Sequence, residues 1–179
     1  MPWIKNTKKV HILTSIRLDP VVCVNILTLF YTHDRGDELA ATFEWIYRVL
    51  ETRAYVDGTQ YYISGDAFLY FTARLAAASS TAKDRLSPLL RNRVVERFGA
   101  EADSASLAMR VATAARLGFL DSVDYQRLLS LQEADGSWPV GWIYRFATTG
   151  VKIGNKRLTT AIAIQALRAV DNLCKTDAI

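Results

Sequence analysis

Apolar positions recur along this chain at helical spacing, block after block, with punctuating residues between the blocks. Asp19 stands before Pro20 as a cap before a first-turn proline. Val21 to Tyr31 is then apolar on almost every face, which predicts a helix buried all round. Its one strongly polar residue, Asn25, needs a partner. It reads either as a core amide bonded to neighbouring backbone or as a residue lining an interior cavity. His33 to Gly36 is a loop, and Asp37 or Glu38 begins the next helix. Leu39, Phe43, Ile46, Tyr47 and Leu50 form its apolar face. Arg53 to Tyr62 breaks that helix at Asp57-Gly58 and ends on Tyr61-Tyr62. Ser64 caps a further helix carrying Phe68, Phe71 and Leu75.

Ala76 to Lys83 is small and polar and reads as a loop. Ser87-Pro88 offers a cap followed by proline at the first helical position. Leu90, Val94 and Phe98 form a stripe that Gly99 stops. Asp103 caps an alanine-rich helix to Leu117, with Gly118 just past its end. Asp121 caps a helix that runs into Gln132. Phe146 to Lys156 reads as a long loop. Thr159 or Thr160 starts the last helix, with Ile162, Ile164 and Leu167 toward the core.

No segment shows convincing β alternation, so the fold class is all-α. Three regions are expected: an N-terminal arm over 1–18, a helical domain over 19–172 and a frayed tail over 173–179. A strand, a loose arm or a frayed helix would each fit the first region, which contains His11. A weak repeat is also visible. Asp57-Gly58-Thr59 and Asp135-Gly136-Ser137 each follow a helix, turn on Asp-Gly and lead to an aromatic residue. Alternating inner and outer helices around a shared core would suit that spacing.

Composition narrows the function classes. The chain has 179 residues, enough for one domain with a sizeable core, and 50% of them are hydrophobic, which argues against disorder. The net charge of +4 is spread along the chain, and the basic run Lys5 to Lys9 lacks interleaved aromatics, so nucleic acid is not an expected partner. Cys23 and Cys174 are distant and fit no metal spacing; this usage suits a reducing compartment and a cytoplasmic location. No apolar run reaches the ~20 residues of a membrane span. Residues 1–15 lack a long apolar core and a cleavage site, so no signal peptide is expected.

The most specific stretch is Leu128 to Arg145, LLSLQEADGSWPVGWIYR. Here a leucine-rich helix end leads into Gln132, Asp135, Gly136 and Trp138. Asp135-Gly136 is a tight turn signal, and Trp138 is placed to act as a flat apolar wedge against the next helix. Gln-x-x-x-Gly-x-Trp resembles the QW repeat of class II terpene and squalene cyclases. The runs DPVVCVNILTLFY, RAYVDGTQYY, AFLYFTARL and GWIYRFATTGVKIGNKRLTTAIAIQAL, in that order, resemble the C-terminal part of fungal haloacid-dehalogenase-like terpene synthases, the drimane-type sesquiterpene cyclases. The likeness covers roughly 19–170. It implies an α/α barrel (toroid) of helical hairpins of the terpene cyclase/prenyltransferase kind, partial in a chain of this length.

The resemblance also implies farnesyl diphosphate as substrate and cyclisation begun by protonation. The family uses an Asp-x-Asp-Asp or Asp-x-Asp-Thr acid for that step, and no such run occurs here. No catalytic residue is therefore assigned. The Asp-Asp-x-x-Asp pattern that holds magnesium is absent too, so no cofactor is expected in this chain; magnesium would enter with a diphosphate substrate. Cation stabilisation needs aromatic faces, and Tyr61, Tyr62, Trp142 and Tyr144 stand at turns where an inner helix opens. The plain alternative for each is ordinary core packing. Arg145, Lys152 and Arg157 surround a glycine-containing loop leading into a helix N-terminus, which would suit a diphosphate; an ordinary solvated loop is the competing reading.

His11 and His33 do not complete a zinc site, so no metal is assigned. Gly-x-Ser-x-Gly and Cys-His arrangements are absent, as is the phosphatase motif Asp-x-Asp-x-Thr. The expectation is a C-terminal piece of a sesquiterpene cyclase, supplying cavity wall and diphosphate contacts but not the acid. Its partner would be a missing N-terminal cyclase and phosphatase-like part. The other reading is a non-catalytic truncated module that packs on a partner or binds an apolar ligand.

Overall fold

A computed structural model of the chain describes residues 18–176; the expectations for the N-terminal arm and His11, and for positions 177–179, lie outside them. Seven α-helices occur among the described residues: α1 Pro20–Thr32, α2 Ala40–Glu51, α3 Gly65–Ala78, α4 Ser80–Val95, α5 Ser104–Arg116, α6 Ser122–Ser130 and α7 Lys156–Thr176. A 3₁₀ turn, Gly36–Leu39, precedes α2. A two-stranded antiparallel hairpin, β1 Trp142–Arg145 and β2 Lys152–Gly154, lies between α6 and α7. The fold is all-α with this one small sheet.

The caps formed as the sequence suggested. Asp19 accepts from the Val21 and Val22 amides with Pro20 in the first turn, Ser64 from Asp66, Asp103 from Ser106 and Asp121 from Val123. Each cap satisfies a helix-end N–H that has no intrahelical partner. Gly99 and Gly118 follow α4 and α5 with φ of +71° and +80°, which glycine adopts without strain.

The helices pack in two layers. α1, α3, α5 and α7 stand side by side in one row, and α2, α4 and α6 cover it. α3 and α5 are central and almost wholly buried. The small side chains of α5 let α7 and α3 approach closely. One core cluster joins α1 to α4 around Leu27, Ile46, Phe68 and Leu90; a second joins α3, α5, α6 and α7 around Leu107, Leu128, Trp138 and Ala163. Within the second, Arg110 and Asp124 are each about 1% exposed and pair at 3.0 Å.

Several local expectations are corrected. Ala76 to Lys83 is not a loop: α3 runs to Ala78 and α4 starts at Ser80, because alanine continues a helix and nothing here forces a long break. Pro88 lies inside α4 rather than at its start. It is exposed, so the carbonyl it leaves without a helical partner faces water. The last helix starts at Lys156, with Asn155 Oδ1 accepting from the Leu158 amide at 3.1 Å, and it continues through Thr176. Ile164 faces out at 39% exposure, while Ile162 is buried. Finally, α1 is not buried all round. Val21, Cys23, Val24 and Leu27 face the core, but Val22, Ile26 and Leu29 are 39%, 45% and 58% exposed. Asn25 is half-buried on this helix.

Candidate site at the junction of the hairpin and the 57–63 turn

The segment expected to be a long loop, 146–156, turns back as a β-hairpin. Trp142 pairs with Gly154, Tyr144 with Ile153 and Arg145 with Lys152, with an irregularity between Trp142 and Tyr144. The base of the hairpin is fixed at Gly141. A Cβ there would sit 2.3 Å from the Ala105 Cβ and 2.5 Å from its amide nitrogen, so only glycine allows this approach to α5. The Gly141 amide donates to Thr159 Oγ1 at 3.0 Å, and the Trp142 amide to Asp103 Oδ2 at 2.8 Å.

The Asp57-Gly58 turn meets this hairpin. Gly58 has φ +86°, and a Cβ there would lie 2.4 Å from the Ile63 carbonyl oxygen. Asp19 holds the turn from below. Its Oδ1 caps α1 while its Oδ2 accepts from Thr59 Oγ1 at 2.6 Å and from the Tyr61 amide at 2.9 Å. The other side of the turn pairs with β1. The Arg145 amide donates to the Tyr61 carbonyl at 2.8 Å, and Tyr62 forms a bridge with Tyr144. The Arg145 side chain donates to the carbonyls of Gln60, at 3.2 Å, and Thr59, at 2.5 Å.

This junction gathers three of the four expected aromatics. Tyr61 stacks on Tyr144, with centroids 5.6 Å apart and planes 12° apart. Tyr62 meets Tyr144 edge-on at 6.0 Å and Phe71 at 5.6 Å. Phe146 joins at 6.5 Å from Tyr144, and Phe71 leads on to Tyr70. The Tyr70 hydroxyl donates to Gln165 Oε1 at 2.5 Å. Burial, with a smaller contribution from Asp19, raises the Tyr62 hydroxyl above the usual tyrosine range, so it is neutral. The fourth aromatic, Trp142, is 40% exposed and lies with its ring edge near Gly154.

The expected cations separate into two kinds. Arg145 is half-buried and its guanidinium is bound to backbone carbonyls, which makes it a strap for the turn. Lys152, directly across from it, and Arg157, in the first turn of α7, are exposed and form no ion pair among the described residues. An anion at the hairpin and the start of α7 would meet these two charges and the positive end of the helix dipole, although Asn155 already caps the Leu158 amide. No group of three or more His, Cys, Asp or Glu side chains among the described residues could hold a metal ion.

The Gln132 to Trp138 element is held by its own hydrogen bonds and by packing in the second core. Gln132 Nε2 donates to the Gly136 carbonyl at 3.1 Å, and Gly136 has φ +81°. Asp135 accepts from the Ser137 amide and hydroxyl, which holds its carboxyl down at about 2. Trp138 is 1% exposed, and its indole N–H donates to the Leu128 carbonyl at 2.8 Å. The two Asp-Gly turns match in detail, since each glycine amide donates at 2.9 Å to the carbonyl three residues before it.

Sequence reading missed the second role of Asp19, the contribution of Phe146 and the Tyr70–Gln165 bond. Asp19 could be read as a cap, but the partner of its other oxygen is set by tertiary packing. Among the described residues no helix is long and apolar enough to cross a membrane. Cys23 is a buried thiol whose titration is pushed up by burial, with Asp19 adding to it, and Cys174 is exposed.

The chain is 40% identical over 156 residues to the drimenol cyclase drtB of Aspergillus calidoustus. The match takes in 86% of this chain and 30% of that relative's length. No protein-family model matches the chain. No solved structure matches it.

Proposed function

We propose that this chain, a relative of the fungal drimane-type sesquiterpene cyclases, is the C-terminal part of a class II-type cyclase acting on farnesyl diphosphate. It supplies part of the cavity wall and diphosphate contacts. The Tyr61–Tyr144 stack, with Tyr62 and Phe146 around it, carries the reading. Aromatic faces stabilise a developing carbocation without acting as bases toward it. Lys152 pairs with Arg145 across the hairpin and Arg157 lies in the first turn of α7; neither has a competing ion pair among the described residues, which supports a diphosphate at the hairpin and the start of α7. Arg145 positions the turn that carries Tyr61 and Tyr62.

The acid is supplied elsewhere, because the sequence has no Asp-x-Asp-Thr run. On this reading magnesium enters with the diphosphate substrate. What these residues do is bind, shape the cavity and keep it dry.

The test is a chimera in which this chain replaces the matched segment of the drimenol cyclase. The chimera should cyclise farnesyl diphosphate. Tyr144→Ala should lower kcat by at least about tenfold, and Lys152→Ala with Arg157→Ala should mainly raise KM. A folded chimera without activity would overturn the reading. Abundant cyclised product from this chain alone would overturn the assignment of the acid to another part.

A further inference from the structure

The row α1, α3, α5, α7 has two ends, and they differ. The outer side of α7 carries Arg168, Asp171 and Lys175, all exposed, around the exposed Ile164. That is the polar face with which a stack of helical hairpins stops. α1, at the other end, has no charged residue from Pro20 to Thr32. Val22, Ile26 and Leu29 lie at helical steps along its outer side and are 39%, 45% and 58% exposed, and Leu18, just ahead of the helix, is 49% exposed. This is the i, i+4, i+7 spacing with which a helix meets another helix. At the end of the stripe, Leu29, Phe30, His33 and Arg35 line a cavity of about 510 Å³. Arg35 covers the Phe30 ring at 5.0 Å and is bonded to Glu38, so its charge is engaged away from the stripe.

We infer that this outer face of α1 is an interface for a further helical hairpin, from the portion of a cyclase-like polypeptide that lies outside the 30% of the relative matched here. The inference rests on the proposed function for the identity of the partner. The physical argument is the asymmetry of the row: an apolar end helix continues a stack, and a charged one closes it. A partner helix would present an apolar side to Val22, Ile26 and Leu29, with a large residue seated in the cavity at His33. The notch at the end of the stripe offers a recess in which such a side chain would be buried on docking.

The test uses the purified 179-residue chain and the unmatched portion of the Aspergillus calidoustus drimenol cyclase as probe, with complex formation followed by analytical ultracentrifugation. A one-to-one complex is expected. Ile26→Glu should weaken it by at least about 30-fold, because a carboxylate would be buried without a partner. Ile164→Glu, on the outer side of α7, should leave it unchanged, and circular dichroism should show both variants folded. Absence of a complex, or a complex indifferent to Ile26→Glu, would overturn the inference. A homodimer dissociated by Ile26→Glu would assign the face to a second copy instead. Binding that appears only after deletion of residues 2–17 would assign it to that segment. No catalytic readout is used, so loss of the docking inference is distinguishable from an inactive chimera.

Discussion

Arg145 and Thr59 stand 86 positions apart, yet the Arg145 guanidinium donates to the Thr59 carbonyl at 2.5 Å. This bond joins the hairpin to the Asp57-Gly58 turn. It makes the Tyr61–Tyr144 stack a property of two distant segments. Replacing Arg145 with alanine removes two donors to partly buried carbonyls and should cost about 1–3 kcal/mol of stability. Faster amide exchange at Tyr61 and Ile63, with helices unchanged, is the expected signature. Uniform destabilisation without local opening would count against the strap.

Trp138 separates packing from hydrogen bonding. Trp138→Phe keeps a ring in the second core but removes the donor to the Leu128 carbonyl, at an expected cost of about 1–2 kcal/mol. Trp138→Ala should cost about 3–5 kcal/mol by opening a cavity between α6 and α7. Chemical denaturation of both variants checks the order.

Gly141→Ala tests how tightly the hairpin is seated. The added methyl would meet Ala105 on α5, a helix packed on both sides, so the hairpin must yield. A loss of about 1–3 kcal/mol is expected in thermal unfolding. Ala105→Gly in the same chain should restore only part of it, because the Ala105 amide nitrogen and Cα also lie within 3 Å of the new methyl.

Asp135 gives the acid limb of stability a defined sign. Its carboxyl is held at about 2 against 3.8, first by the Ser137 hydroxyl and then by the Ser137 amide. A folded value below the unfolded one contributes stability above about 3.8, lost as pH falls through about 2. The group is exposed, so the effect is small and salt-sensitive. Asp135→Asn should flatten the pH dependence of urea unfolding in this window, lowering stability slightly at neutral pH and leaving it unchanged below about 2. A wild-type slope in the variant would refute the assignment.

Local chemistry carried much of the fold into the sequence. Asp19-Pro20, Ser64, Asp103 and Asp121 marked true helix starts, because a cap acts within three residues of itself. Gly58 and Gly136 marked true turns. Where the outcome depended on distant partners, the reading failed. The 146–156 stretch was a loop by composition and became a hairpin because β1 also pairs with Tyr61 to Ile63. α1 looked buried all round because an apolar helix side gives no sign of what covers it. The candidate site was half legible. The sequence points to Tyr61, Tyr62 and Tyr144, but their stacking depends on the Arg145 strap and the second oxygen of Asp19.

Asp19 belongs to two structures at once. One oxygen ends the first turn of α1 and the other holds Thr59 and Tyr61, so the helix that bears the apolar outer side and the turn that bears the stacked tyrosine share a single hinge pin. Anything that seats on α1 and stiffens its first turn also narrows the motion of Tyr61. If a partner seats on α1 as inferred and a ligand orders the tyrosines as proposed, both act through this one carboxylate, and by reciprocity each would tighten the other.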